Sequence, residues 1–461
     1  MAKRRRGTKP VPSSHRRAHA PAAPADLPAA GVGEWVAVGA LVAVLLGTSL
    51  LVDPKAYASF DAPKRLIALC GTSIAALAVF GLGERLRREG RKWRDVPRSA
   101  RISLLAAGAA LAWASLSAAL SPNRTVALDS LRTILVFCLL LPLGASAAVA
   151  RRRSLLLGTL LAAAAVNAVL SLLQSRGISL FPLQTYGTRN ETGAMAGNVG
   201  YLALSLAFAG VLSLGLVLSA RGRWVRILAG TALLLSLAGV VVNRNLTAII
   251  ALAIGGSVLL VLLFGRRSVL PIAGIVVAVA AACFLVAPLR QRARDASEMI
   301  RRGDWDRLTT YRTGAWAAAL QMTRERPVVG WGPGTYAAEF TPHRLEAEIR
   351  ARRRFVNPLY TSSYSEAHCD YLQAFAETGV PGGLAVLVAA GALFAAVGRR
   401  AARAGPNRTE AVILLALLAA GAAAALTWFP LQRPISAAPL LLAAGRSWRI
   451  ASERREEPSN P

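Results

Sequence analysis

Apolar runs of about 20 residues recur along nearly the whole chain, and each is long enough at ~1.5 Å per residue to cross a hydrocarbon layer of roughly 30 Å. Clear examples lie near 35 to 52, 127 to 150, 194 to 219 and 246 to 264. Such runs are read as transmembrane helices. The same chain is 54% hydrophobic and carries a formal net charge of +30, so its charges must be segregated from its apolar segments. The arginines sit in short clusters between the spans, with no recognisable nucleic-acid module, which excludes nucleic acid as a partner. The four cysteines, Cys70, Cys138, Cys283 and Cys369, form no close pair and have no metal-like spacing.

The reading is an all-α polytopic membrane protein with about 12 transmembrane helices and one large extracytoplasmic helical loop. Residues 1–32 form a disordered basic cytoplasmic tail, 33–287 hold helices 1 to 9, 288–380 the outer loop, 381–448 helices 10 to 12, and 449–461 a cytoplasmic C-terminal tail. The connections support this parse, because cytoplasmic loops collect lysine and arginine. Eight basic residues lie between Glu84 and Arg101, whereas the next loop holds only Arg124. Both termini are therefore expected in the cytoplasm.

The segment between Pro288 and Val380 carries 14 basic and 11 acidic residues and is the largest stretch outside the spans. An amphipathic helix is expected over 309–324, with Arg312 and Trp316 one turn apart, and a charged one over 342–355. Between them Gly330, Gly332 and Gly334 mark a loop that either turns or offers backbone N–H groups to an anion. Beyond, Ser363 and Glu366 have capping-box spacing, which predicts a helix ending at Gly379 with His368 in its second turn. On such a helix Cys369 points about 100° away from His368, against a thiol mechanism.

Arg189, Arg244 and Arg312 stand out among the cations of the outer side. Arg244, in Asn243-Arg244-Asn245, interrupts two apolar runs and sits close to the hydrocarbon boundary, where it either snorkels to lipid phosphates or serves a site. Arg132 has a local partner in Asp129, at i−3.

Five stretches together resemble the O-antigen ligase and O-antigen polymerase superfamily of bacterial envelope glycan enzymes: Gly197-Asn198-Val-Gly-Tyr201-Leu-Ala203 preceded by Arg189; Asn243 to Ala248; Arg312 to Trp316; Pro327 to Tyr336; and His368 to Gly383. The last two are the most specific. The family usually has asparagine after the histidine, where this chain has Cys369. The resemblance implies transfer of a glycan from a polyprenyl diphosphate-linked donor to a hydroxyl acceptor on lipid A core, a growing polysaccharide or protein. It places the chain in the bacterial inner membrane, with the lipid bilayer and the glycan substrates as its partners.

Arginine forks suit diphosphate oxygens, so Arg189, Arg244 and Arg312 are the candidate diphosphate ligands, and His368 the candidate catalytic group for the acceptor hydroxyl. No cofactor and no metal is expected, although Asp304-Trp-Asp306 spells a short acidic pattern found in metal-dependent glycosyltransferases. A polymerase with the same donor chemistry, a secondary transporter of an anion and an enzymatically silent scaffold are the alternatives. The single large loop favours an enzyme over a carrier built from two matching halves.

Overall fold

The computed structural model describes residues 31–56, 58–81, 96–180, 192–274, 277, 284, 287–355, 364–405 and 407–453. Among them there is no β-strand, and ten helices are long and apolar enough to cross a membrane. The chain is an all-α polytopic membrane protein.

In chain order the helices are α1 (Val32–Leu50), α2 (Asp61–Ala76, prolonged by a π turn to Gly81), α3 (Arg98–Ala119), α4 (Arg124–Cys138), the short α5 (Leu140–Ala145), α6 (Ala147–Gln174), α7 (Val199–Ser219), α8 (Arg223–Asn243) and α9 (Leu246–Phe264). Then follow α10 (Ala287–Arg302), α11 (Trp305–Leu308), α12 (Thr313–Glu325), α13 (Tyr336–Ala351), α14 (Asp370–Ala402), α15 (Arg408–Ala425) and α16 (Pro434–Ser452). Most of the span expected over 269–287 and nearly all of the N-terminal tail fall outside the described residues. The last helix runs to Ser452, past the boundary expected at 448.

The most apolar window of α7 is 72% buried against 22% for α3, so α7 is the centre of the bundle. Large apolar side chains such as Leu105, Leu234 and Val241 face outward, the arrangement expected where lipid rather than water is the solvent. Small residues set the closest helix contacts. A Cβ at Gly144 would strike the backbone of Leu442, and one at Gly445 the carbonyl of Leu141, so α5 and α16 touch backbone to backbone.

The two ends of the bundle differ in chemistry. At one end arginines meet carboxylates: Arg151 pairs with Glu34, and Arg446 with Glu410 at 2.7 Å. At the other end the C-termini of α3, α8 and α15 meet the N-termini of α4, α7, α9, α14 and α16, and α12 and α13 pack over them. The α12–α13 pair has its own core of Ala315, Ala318, Ala319, Met322, Tyr336 and Phe340, closed by Ala367 and Ala376.

One helix face ties these extra helices to the bundle. Trp113, Ser117 and Ser121 follow one another at i, i+4 and i+8 on α3 and just beyond it. Trp113 Nε1 donates to the carbonyls of Thr378 (2.9 Å) and Val328 (3.1 Å), Ser117 Oγ to Glu377 O (2.8 Å), and Ser121 Oγ to Trp331 O (2.6 Å). The carbonyls at Glu377 and Thr378 lie where α14 kinks at Gly379, whose φ of 70° belongs to the left-handed region. Pro381 follows two residues on and cannot donate to the helix ladder.

The glycine loop turns its amides inward, and the carboxylate that accepts from Gly334 N–H is the chain's own Glu377. Gly330 N–H donates to Arg326 O (3.0 Å) and Gly332 N–H to Glu377 O (2.8 Å). All three glycines have positive φ, and a Cβ at Gly330 would overlap the backbone of α14, so the loop serves as a tight turn against α14.

Candidate functional site

The helix expected to contain His368 begins only at Asp370, with Cys369 as its N-cap residue; it closes where expected, at the non-helical Gly379, beyond which a second helical segment of α14 runs to Ala402. His368 precedes it in a turn with φ of 52°, a left-handed conformation that costs a non-glycine residue about 1–3 kcal/mol. Three tethers from different elements hold that turn. Ala367 N–H donates to Gln373 Oε1 (3.0 Å), Trp316 Nε1 donates to His368 O (3.4 Å), and Glu366 forms an ion pair with Arg433. Gln373 is fixed in turn through Glu377 (2.9 Å), whose carboxylate also accepts from the amide of Tyr336 (3.4 Å). Buried hydrogen bonds thus run from the glycine loop to the histidine turn.

The imidazole meets three rings edge to face: Phe429 at 5.0 Å, Tyr364 at 5.2 Å and Trp428 at 5.3 Å between centroids. Trp428 and Phe429 are stacked at 4.8 Å. A guanidinium caps each outer side of this stack: Arg312 lies over Trp428 at 5.0 Å, and Arg433 over Phe429 at 5.4 Å and over Tyr201 at 4.7 Å. The result is a cation, ring, ring, cation array with the imidazole against its flank. Burial, reinforced by Arg312 and Arg433, pushes the His368 pKa down to about 3, so the ring is neutral at physiological pH. Its Nδ1 is buried and has no hydrogen-bond partner among the described residues.

Local sequence accounts for the supporting pieces. Asn198 caps α7 by accepting from Gly200 N–H (2.8 Å) and Tyr201 N–H (3.3 Å). A Cβ on Gly200 would overlap the ring of Trp428, so this glycine admits the stack. Asp370 holds the turn after Phe429 by accepting from Leu431 N–H at 3.0 Å, and Thr427 Oγ1 bonds Thr247 Oγ1 at 3.1 Å.

Of the residues singled out in the sequence, the structure brings Arg312 and His368 together. Arg312 is the N-cap residue of α12 and follows Thr310 and Tyr311, both at positive φ. Arg244 is the left-handed C-cap of α8 at the same end of the bundle, exposed and three residues before Thr247. Its neighbours are occupied: Asn243 Nδ2 donates to Ser171 Oγ (3.0 Å), and Asn245 caps α9 (2.9 Å to Ala248 N). Arg189 lies outside the described residues. Arg132 pairs with Asp129 at 2.7 Å, as its spacing predicts, and Arg65 reaches the same carboxylate at 3.1 Å.

His343, the other histidine of the loop, is buried glue. Its Nδ1–H donates to Glu339 O (2.6 Å), and its Nε2 lies 3.1 Å from Glu325, joining α13 to α12. Asp304 caps α11 and lies 3.5 Å from Arg307, while Asp306 pairs with Arg353 at 3.1 Å. Among the described residues no group of three acidic, histidine or cysteine side chains is arranged to hold a metal ion. Cys369 is buried, and burial raises its thiol pKa, which disfavours a thiolate at this position.

Sequence reasoning missed Arg433, Trp428 and Phe429, and read Glu366 only as a helix cap. The signal was present in Trp428-Phe429-Pro430, an aromatic pair stopped by proline at the end of an apolar run, with an arginine beyond it.

The family model described as O-antigen ligase matches residues 231–387, a range that contains Arg244, Arg312 and His368. No curated protein matches the chain.

Proposed function

We propose, from the premise that this chain belongs to the O-antigen ligase superfamily, that it transfers a glycan from a polyprenyl diphosphate carrier to a hydroxyl acceptor at the outer face of the cytoplasmic membrane. The observation that carries this reading is the neutral imidazole of His368 beside the Arg312 guanidinium at the aromatic stack.

The acceptor oxygen attacks the anomeric carbon of the donor sugar, and the bond from that carbon to the phosphate oxygen breaks. The diphosphate leaves with the electron pair, and His368 takes the acceptor's proton. Arg312, Arg244 and Arg189 bind the diphosphate and stabilise the charge that grows on it, which leaves no step that requires a metal. His368 is by itself a weak base, because burial and two nearby cations oppose its protonation. A bound diphosphate adds negative charge beside those cations and raises the basicity of the ring when the donor is in place. Donor binding therefore arms the base.

Deleting the protein and resolving surface glycan on a gel tests the activity. Accumulation of carrier-linked polymer identifies a ligase, and single repeat units identify a polymerase with the same donor chemistry. An unchanged glycan profile with altered small-anion uptake would replace both by a transporter.

A further inference from the structure

Arg433 has the chemistry of a phosphate ligand but not the surroundings of one. Its guanidinium pairs with Glu366 and, at 3.0 Å, with Asp61 on α2, and it covers the faces of Phe429 and Tyr201. Its side chain is 18% exposed and that of Glu366 13%, so the pair is largely withdrawn from solvent. Two carboxylates already neutralise the charge that would otherwise hold a diphosphate.

The position of its partner gives Arg433 a different role. Glu366 stands two residues before His368, and Ala367 between them is fully buried. A shift of the Glu366 carboxylate is therefore passed through a short, packed segment to the strained His368 turn. The other two tethers, Trp316 and Gln373, come from α12 and α14, whereas Arg433 and Asp61 belong to α16 and α2. Only this clasp connects the histidine turn to those helices through charged side chains, among the described residues.

We propose that Arg433 is a positioning residue whose ion pair with Glu366, anchored by Asp61, holds the His368 ring edge-on against Phe429 and Trp428. The proposal rests on the reading of His368 as the group that takes the acceptor's proton. The clasp itself is independent of that reaction. Paired charges withdrawn from water are costly to break singly, because the remaining partner stays buried without compensation. Each half of the pair is thus needed for the same geometry.

The test uses Arg433→Ala, Arg433→Lys, Glu366→Gln and the Arg433→Ala/Glu366→Gln double variant of the full chain, purified in detergent. Transfer kinetics are read together with the rate of diethyl pyrocarbonate modification at His368, resolved by mass spectrometry. Arg433→Ala and Glu366→Gln should each lower kcat by about 10²-fold, the usual cost of misplacing a reacting group by about 1 Å, with donor KM little changed. The double variant should be no worse than either single one, and Arg433→Lys should recover part of kcat. His368 should be modified faster in both single variants than in the unaltered protein.

A raised donor KM with kcat intact in Arg433→Ala would make Arg433 a phosphate ligand and overturn the proposal. Unaltered kcat and unaltered His368 shielding in Glu366→Gln would overturn it equally. Should Arg433→Ala fail to fold, Glu366→Gln carries the test. Should the unaltered protein show no transfer, the proposed reaction fails, and His368 shielding still decides the clasp.

Discussion

The guanidinium of Arg312 lies 5.0 Å from the ring centre of Trp428. This contact fixes the direction of a cation that begins a helix and follows two left-handed residues, so Trp428 sets where the positive charge of Arg312 is presented.

Replacing Trp428 by alanine is expected to lower kcat/KM for the donor about 10-fold, equivalent to the ~1–2 kcal/mol of a partly desolvated cation–π contact. Phenylalanine should retain most of the activity. Steady-state kinetics with varied donor concentration provide the check, and equal activity in the alanine variant would sever Arg312 from its ring.

His368→Ala is expected to keep donor binding and lose transfer by about 10²- to 10⁴-fold, the range typical of a removed general base. Isothermal titration with donor analogue and single-turnover transfer separate the two effects. Near-normal transfer would remove His368 from the mechanism.

The acid limb of kcat/KM, which reports the free enzyme, should fall well below pH 6.5 because burial and two cations push the His368 pKa down to about 3. The limb of kcat should lie at higher pH, since the bound diphosphate favours the imidazolium. The same depressed pKa has a sign for stability. The folded state prefers the neutral ring, so its contribution is complete above about pH 6.5, where the unfolded histidine is also neutral. It is lost as pH falls from there toward about 3. Thermal unfolding across that window should show a steeper acid loss in the unaltered protein than in His368→Ala.

Gln373→Leu removes the acceptor for the buried Ala367 N–H and the donor to Glu377. An orphaned buried group costs about 1–3 kcal/mol, so the variant should unfold at lower temperature and transfer more slowly. Differential scanning fluorimetry in detergent measures the first effect, and unchanged stability would show that the Glu366 and Trp316 tethers suffice.

Gly379→Ala should be the most damaging single methyl in the loop junction. Its φ of 70° disfavours a side chain, and the added Cβ would run into the carbonyl of Val328, with no flexible group to yield. Loss of the monodisperse peak in size-exclusion chromatography is the expected result.

The bundle was legible in the sequence because each span declares itself locally, through an unbroken apolar run flanked by charge. The paired Arg132 and Asp129 were legible for the same reason. The start of α14 was not, because tertiary partners outcompete the local pattern. Glu366, expected to close a capping box with Ser363, is claimed by Arg433 from 67 positions away, and Ser363 lies outside the described residues. Gln373 meanwhile takes the amide of Ala367, and the chain turns left-handed at His368 instead of continuing as helix. The aromatic stack was hidden for a related reason: Trp428 and Phe429 look like ordinary ends of an apolar run until Tyr201, Arg312 and Arg433 converge on them.

α14 is a bent rod of two helical segments joined at the non-helical Gly379, apolar along its far part and with His368 two residues ahead of its first turn. The thickness of the surrounding hydrocarbon sets how deeply such a rod sits, and its depth is handed on to the imidazole through fewer than four helical turns of backbone. On the proposed reaction, bilayer thickness would then be felt at His368, with the α3 side chains that hold the bend as the bearing on which that input turns.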